Sequence, residues 1–164
     1  MEELIYLGIG SNLGDRLMNI REAVRMIESF TGPVISASHV YETSPWGFDS
    51  DHDFLNCVIC VVSMHEPFTF FEKVRSVESS IRKVNKCNGY TNRELDIDIL
   101  FYGDRIINTA EYVIPHPLLH RRKFVLVPLC EIAPDFVHPV LGKTVRMLLD
   151  ECTDNGKVEL FGSY

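Results

Sequence analysis

The sequence predicts an α+β fold in which one antiparallel sheet is covered by helices on one face. Apolar segments of strand length alternate with segments of helical periodicity in the order strand, helix, strand, strand, helix, strand. The third of these strands is apolar on both faces, which is typical of a central strand. The order is that of a ferredoxin-like βαββαβ sandwich, here with a C-terminal helical extension.

The first three elements are a strand, a helix and a second strand. Residues 4–9 are apolar, and a glycine-containing turn over residues 10–15 follows them. Gly32 and Pro33 mark the end of the helix, and residues 34–43 form the second predicted strand. The positions that give the first helix its apolar stripe are Leu17, Ile20, Val24 and Ile27.

The next elements follow a polar loop over residues 44–53. Residues 54–64 form the third predicted strand, and Glu66-Pro67 opens the second helix. A loop over residues 86–92 leads to the fourth strand. The second helix buries Phe70, Val74, Val77, Ile81 and Val84.

The C-terminal part is predicted to contain helices over residues 124–132 and 144–151 and a last strand over residues 158–160. The length of 164 residues and the 46% hydrophobic content predict a single domain, residues 1–164.

Charge and hydropathy exclude several classes of protein. A net charge of −7 argues against a general nucleic-acid binder, because phosphate neutralisation needs a basic face. No apolar run reaches the ~20 residues of a membrane span, and the acidic start of the chain lacks the positive charge of a secretory signal. We therefore expect a cytoplasmic protein without nucleic-acid or membrane partners.

The fourth strand carries a candidate metal site. In the segment Arg-Glu-Leu-Asp-Ile-Asp-Ile-Leu, residues 93–100, side chains alternate between the two faces of a strand. Asp96 and Asp98 therefore share one face, about 6.6 Å apart, and the opposite face is aliphatic. Such a pair suits Mg²⁺ ions that are also held by water and substrate phosphates. An isolated pair of this kind also occurs on strands with one face in water.

Basic residues flank this strand in the sequence. Two clusters in an acidic protein favour a small polyanion that arrives with its own metal, although solvated surface is the usual role of charge clusters. The first cluster consists of Arg82, Lys83, Lys86 and Arg93, and the second of His120, Arg121, Arg122 and Lys123.

Six motifs, taken in order, resemble one enzyme family over nearly the whole chain. They are Gly-Ser-Asn-Leu-Gly (10–14), Tyr-Glu-Thr-Ser-Pro-Trp-Gly (41–47), Phe-Leu-Asn (54–56), the segment 93–100, Ile-Pro-His-Pro (114–117) and Arg-Arg-Lys-Phe-Val-Leu-Val-Pro-Leu (121–129). The chain resembles the 6-hydroxymethyl-7,8-dihydropterin pyrophosphokinase family of folate biosynthesis. The resemblance implies an enzyme that transfers pyrophosphate from ATP to the hydroxymethyl oxygen of the dihydropterin, giving AMP and the dihydropterin diphosphate. We expect it to be a monomer.

The resemblance also implies roles for particular residues. Asp96 and Asp98 would bind two Mg²⁺ ions together with ATP. The implied catalytic residues are Arg93, Asp96, Asp98 and Lys83. The implied pterin-binding residues are Thr43, Pro45, Trp46, Phe54, Asn56 and Phe124. The implied nucleotide-binding residues are Arg75, Glu78, Tyr90, Arg93, Ile99, His116 and Arg122.

The residues themselves leave some alternatives open. Asn56 stands in a very apolar strand, where an amide without partners costs ~1–3 kcal/mol, so a functional role is favoured. Phe54 and Phe124 are also consistent with ordinary core, His116 with a turn, and Glu78 with surface. The alternative function is a non-catalytic ferredoxin-like domain that binds a small ligand or regulates. An RNA-recognition module would need paired aromatic residues on two strands and a basic surface, and the net charge of −7 argues against it.

Overall fold

The computed structural model of the protein describes residues 2–82 and 90–164. The strands are β1 (Glu3–Ser11), β2 (Ser36–Ala37), β3 (Val40–Thr43), β4 (Phe54–Ser63), β5 (Asp96–Tyr102), β6 (Ile107–Asn108), β7 (Val113–Ile114) and β8 (Val158–Gly162). The helices are α1 (Arg16–Thr31), α2 (Pro67–Ile81), α3 (Lys123–Ile132) and α4 (Val145–Glu151), with a 3-10 turn at Leu119–Arg121.

One antiparallel sheet of six strands organises the molecule. Its order is β5-β1-β4-β3-β8, and the short β2 also pairs with β4. Strands β6 and β7 form a separate hairpin. The predicted combination of helices with an antiparallel sheet is therefore confirmed, and β4 lies inside the sheet, as its apolar faces predicted. The expected last strand is present as β8.

The second predicted strand, residues 34–43, is divided into β2 and β3. The hydroxyl of Ser38 accepts a hydrogen bond from the backbone N–H of Val58 at 2.9 Å. A side chain thus takes the place of a backbone carbonyl at this point of the ladder, and regular pairing stops between Ala37 and Val40.

Helices cover both faces of the sheet, so the prediction of helices on one face is wrong. Helices α1 and α2 pack on one face, where Ile5, Leu7 and Ile9 of β1 join the same apolar cluster. Helices α3 and α4 pack on the other face, against Val58 and Cys60 of β4. The physical reason is that β4 is apolar on both sides, and each side must be removed from water.

Local sequence signals begin and end the helices. The carboxylate of Asp15 accepts a hydrogen bond from the backbone N–H of Met18, which caps α1, and Gly32 ends this helix with a positive φ. Pro67 occupies the first turn of α2, where its missing N–H costs nothing. Thr144 caps α4 through the N–H of Met147. In the described part of the chain, no helix combines the length and apolar character that membrane crossing requires.

We predict that Leu126→Ala destabilises the protein by about 2–5 kcal/mol, because Leu126 of α3 is fully buried in the second core cluster. Urea unfolding measures the loss. The matched control is Met147→Ala on α4, whose side chain is 46% exposed and should change stability by less than about 0.5 kcal/mol. Equal losses in the two variants would show that α3 does not seal an essential core.

Candidate active site

The candidate site lies where β4, β1 and β5 run side by side. Gly10 of β1 pairs with Asn56 of β4 on one side and with Asp96 of β5 on the other. Two residues further along the two strands, Gly8 pairs with Asp98. The prediction that Asp96 and Asp98 face away from the aliphatic side of the strand is confirmed. Their aliphatic neighbours Leu95, Ile97 and Ile99 lie in the core under α1 and α2.

Two clefts share these carboxylates. The first has a volume of about 360 Å³ and the second about 430 Å³. Residues Asp96, Asp98, His116 and Pro117 line both clefts. The two cavities therefore have a common wall formed by the start of β5 and the segment that follows β7.

The first cleft collects five of the six residues predicted to bind pterin. They are Thr43, Trp46, Phe54, Asn56 and Phe124. Tyr90, Arg93 and Arg122, predicted for the nucleotide, line the same cleft. Pro45 is not among the described residues that line it. The aromatic rings and the few polar groups together suit a flat, polar-edged ligand.

The second cleft collects the other residues predicted for the nucleotide. They are Arg75, Glu78, Ile99 and His116. Lys83, predicted as catalytic, lies outside the described residues. Within the described chain the second cleft is bounded by α2, β5 and the β7 region.

Asn56 is held in a fixed position over β1. Its Nδ2 donates to Oγ1 of Thr43 at 2.7 Å, and the residue is only 8% exposed. A Cβ atom added to Gly10 would lie 2.4 Å from Oδ1 of Asn56, which is closer than real contacts allow. The absence of a side chain at Gly10 is therefore what allows the amide to lie flat above β1.

The carboxylate pair is surrounded by cationic groups. Oδ1 of Asp96 accepts from Arg93 at 3.0 Å and lies 3.6 Å from Nη2 of Arg82. Oδ2 of Asp98 accepts from Nη1 of Arg122 at 3.2 Å. Nε2 of His116 lies 3.7 Å from Oδ1 of Asp98. Each carboxylate is thus matched by positive charge or a ring N–H.

Burial acts against this charge pairing. The Asp96 and Asp98 side chains keep 28% and 26% of their surface exposed at the bottom of the clefts. Their removal from bulk water raises the pKa of both carboxyl groups, and the charge of Asp98 adds to the rise at Asp96. The arginines oppose these shifts. A site with two carboxylates in a cleft favours the arrival of further positive charge.

Arg122 is enclosed by aromatic rings. Its guanidinium carbon lies 4.8 Å from the ring centre of Trp46, 5.5 Å from that of Tyr90 and 5.7 Å from that of Phe124. The side chain is only 7% exposed, and Nη2 donates to the Tyr90 hydroxyl at 3.1 Å. Cation–π contacts of this kind hold the desolvated guanidinium of Arg122 beside the carboxylate of Asp98.

His116 has a defined donor atom. The backbone N–H of Leu118 donates to Nδ1 of His116 at 3.2 Å, so in the neutral ring the proton is on Nε2, which is directed toward Asp98. Burial, followed by the charge of Arg122, lowers the pKa of His116 to about 4. The ring is therefore neutral near pH 7 and offers one N–H to the cleft.

Several residues at the site were missed from the sequence. Asn12 of the glycine-containing turn bonds to the backbone of Arg93 in both directions, at 2.7 and 3.1 Å, so this turn fixes the entry to β5. Arg82 and Tyr112 line the second cleft. Arg82 belonged to a recognised basic cluster, whereas Tyr112 stands in an irregular segment without any periodic signal.

The side chain of Glu78 connects α2 to the start of β5 and is not an ordinary surface carboxylate. Its carboxylate accepts a hydrogen bond from the backbone N–H of Ile97 at 2.8 Å, and Nη2 of Arg82 lies 3.8 Å away. Burial raises the pKa of Glu78, and the nearby charge of Asp96 raises it further. Helix α2 is thereby attached to the strand that carries the acids.

Comparison with known proteins agrees with this geometry. A model of the family described as 7,8-dihydro-6-hydroxymethylpterin-pyrophosphokinase (HPPK) matches residues 6–134. The chain belongs to this family. An HPPK-family relative from Aquifex aeolicus, named 2-amino-4-hydroxy-6-hydroxymethyldihydropteridine pyrophosphokinase, is 37% identical over 91% of this chain and 92% of its own. A protein of the same name from Porphyromonas gingivalis is 37% identical over 83% of this chain and 94% of its own.

Solved structures share the fold. The crystal structure of wild-type Plasmodium falciparum HPPK-DHPS with pterin and p-hydroxybenzoate superimposes with a TM-score of 0.73 at 17% identity. The match covers 92% of this chain and 42% of that one. At this identity the likeness concerns the arrangement of helices and strands.

We predict that Gly10→Ala lowers the free energy of unfolding by about 1–3 kcal/mol, because the new methyl group displaces the Asn56 amide from Thr43. Chemical denaturation measures this loss. Gly8→Ala is the matched control on the same strand. Its Cβ would meet Leu100 at an ordinary 3.6 Å, so its stability should stay the same or rise slightly. Similar losses in both variants would contradict the close-approach argument.

Proposed function

We propose that this protein transfers the pyrophosphoryl group of ATP to the hydroxymethyl oxygen of 6-hydroxymethyl-7,8-dihydropterin in folate biosynthesis. The products are AMP and the dihydropterin diphosphate. The observation that carries the proposal is the Asp96–Asp98 pair in the common wall of two clefts, one aromatic and one with charged residues, in a chain of the HPPK family. The non-catalytic alternative is not favoured, because it has no use for this arrangement.

The first cleft suits the pterin. Phe54 and Phe124 supply aromatic faces for the flat bicycle, and Trp46 supplies a further wall. Asn56 offers a donor and an acceptor side by side for the pyrimidinone edge. Thr43 keeps this amide in place. The pterin would thus be read by shape on its faces and by hydrogen bonds on its edge.

The second cleft suits the nucleotide. Phe71 and Tyr112 provide aromatic surface, and Arg75 and Arg82 provide positive charge. His116 lines both clefts, and Arg93 and Arg122 line the first cleft beside the shared carboxylates. Within the described chain, Nε of both Arg93 and Arg122 is buried without a hydrogen-bond partner. The guanidinium groups of these two arginines suit the oxygens of a polyphosphate.

The carboxylates suit Mg²⁺. Asp96 and Asp98 provide hard oxygen ligands in an accessible cleft, and a magnesium ion commonly takes one or two carboxylates plus water and phosphate oxygens. We propose that these two residues hold two Mg²⁺ ions together with ATP. When bound, the ions supply neutralisation of the phosphate charge.

The residues of the chain would act mainly by positioning. The hydroxymethyl oxygen forms a bond to the β-phosphorus of ATP. The bond between this phosphorus and the oxygen that bridges it to the α-phosphorus breaks, and AMP leaves with that oxygen. The hydroxyl proton passes to solvent, since phosphoryl transfer depends more on alignment and charge stabilisation than on a side-chain base. Arg93 and Arg122 would stabilise the developing negative charge, and His116 would donate from Nε2. A catalytic role for Lys83 remains a prediction.

We also propose a ferredoxin-like core for the fold. Support comes from the order β5-β1-β4-β3 in an antiparallel sheet, with α1 and α2 on one face. The hairpin β6–β7, the strand β8 and helices α3 and α4 are then additions. A single domain, a monomeric state and a cytoplasmic location remain predictions.

The direct test is incubation with ATP, Mg²⁺ and the reduced pterin, with AMP measured by chromatography. We expect one AMP for each pterin consumed, and no AMP when pterin is omitted. We predict that Asp96→Ala lowers kcat by about a hundredfold or more, since one metal-ligating charge is lost. Pterin affinity should change far less. Comparable turnover of this variant at saturating Mg²⁺ would count decisively against the proposal.

A second prediction concerns pterin recognition. Asn56→Ala should raise KM for the pterin about ten- to a hundredfold, because an edge-reading amide contributes about 1–3 kcal/mol, and KM for ATP should stay within a factor of about two. Steady-state kinetics with each substrate varied separately measures both. Asn108→Ala, on the exposed end of β6, serves as the control. Equal changes in the two KM values would argue against a pterin-reading role.

A further inference from the structure

The segment of residues 154–157, which precedes β8, contacts three borders of the first cleft. The family model ends at residue 134, so the family match assigns no role to this segment. We propose that these residues form a C-terminal clasp. Its side chains Asp154 and Lys157 position the walls of the first cleft, called the pterin slot below because the pterin is proposed to bind there. This inference rests on the proposed function, and it adds positioning residues to it.

The first border is the start of the loop over residues 44–53. The backbone N–H of Ser44 donates to the carbonyl of Lys157 at 3.2 Å, and the N–H of Lys157 donates to the Ser44 hydroxyl at 3.0 Å. Ser44 directly follows Thr43, whose hydroxyl accepts the hydrogen bond from Asn56. Ser44 also belongs to the loop that carries Trp46. The clasp therefore fixes the point at which the loop leaves β3.

The second border is the end of the same loop. Nζ of Lys157 pairs with the carboxylate of Asp53 at 2.5 Å, and it lies 3.8 Å from Glu42. Asp53 directly precedes Phe54, whose ring lines the slot. One residue, Lys157, thus joins the two ends of the loop that carries Trp46, which limits how far the loop can move away from the slot.

The third border is the start of α3. Oδ2 of Asp154 accepts the backbone N–H of Lys123 at 3.0 Å, while Oδ1 accepts that of Gly156 at 2.9 Å. The N-cap residue of α3, Arg122, makes no side-chain capping bond, so Asp154 supplies the cap from a distant part of the chain. Lys123 lies between Arg122 and Phe124, and its position sets the position of both.

The packing of the clasp is tight. A Cβ atom at Gly156 would lie 3.1 Å from Oδ1 of Asp154 and 3.2 Å from the Ser44 hydroxyl. The glycine therefore allows the two contacts to Ser44 and Lys123 to be made from one short segment. A larger residue would require Asp154 or Ser44 to shift by a few tenths of an ångström.

The test uses the full chain and the fluorescence of Trp46, which is the only tryptophan of the protein. Pterin is titrated into the wild type, Lys157→Met, Lys157→Arg and Asp154→Ala, and the dissociation constant is read from the change in emission. Steady-state kinetics gives kcat and both KM values, and thermal unfolding shows that each variant is folded. The control is Lys143→Ala, which removes an exposed ion pair with Glu151 in the same C-terminal region.

We expect Lys157→Met to weaken pterin binding about three- to fivefold, the effect of losing a partly exposed ion pair, with kcat and KM for ATP nearly unchanged. Lys157→Arg should restore most of the affinity, since it keeps the charge opposite Asp53. Asp154→Ala should weaken pterin binding and also lower kcat, because α3 carries both Phe124 and Arg122. Lys143→Ala should bind like the wild type.

The possible failures are distinguishable. If the wild type binds pterin and folded Lys157→Met binds it equally well, the clasp has no positioning role, whatever its effect on melting temperature. If the wild type itself shows no pterin binding and forms no AMP, the proposed function fails and takes this inference with it. Should Asp154→Ala not fold, the comparison of Lys157→Met with Lys157→Arg still decides the matter.

Discussion

The site depends on one position without a side chain, Gly10 of β1, which lies between the strands that carry Asn56 and Asp96. Gly10 allows the Asn56 amide to lie over β1. Any larger residue at Gly10 would push the amide toward the cleft. The antiparallel register then sets Asn56 and Asp96 at equal height on either side of the same glycine. Backbone geometry, rather than a flexible loop, thus determines the spacing between the amide and the carboxylates.

Electrostatic balance is the second constraint. Asp96 and Asp98 are kept in a cleft by Arg93, Arg82 and Arg122, and three aromatic rings keep Arg122 beside them. Since these partners are partly desolvated, their interactions are stronger than those of exposed ion pairs. Removing one partner would leave a half-buried charge uncompensated, which is costly. The site is therefore held together by the same charges that would meet a polyphosphate.

The sequence predicted the parts of the site that obey a simple period or stand out chemically. Asp96 and Asp98 follow from the alternation of a strand, and Asn56 from its polar side chain in an apolar strand. The cover of both faces was missed, although β4 is apolar on both sides and needs it. The sequence does not show which elements supply the second layer, because the direction in which the chain leaves β5 has no local signal. The same holds for Tyr112, which lies in an irregular segment, and for Asp154, which meets Lys123 across 31 residues of chain. Contacts between distant segments leave no periodic pattern in the sequence.

The common wall of the two clefts has a consequence for the reaction path. Because the same four residues border both cavities, a molecule that fills one would end within reach of a molecule that fills the other. The side chains of these four residues then border the gap that the transferred group must cross. Because the two cavities are distinct, both reactants could be bound at once, and neither would have to leave before the other arrived.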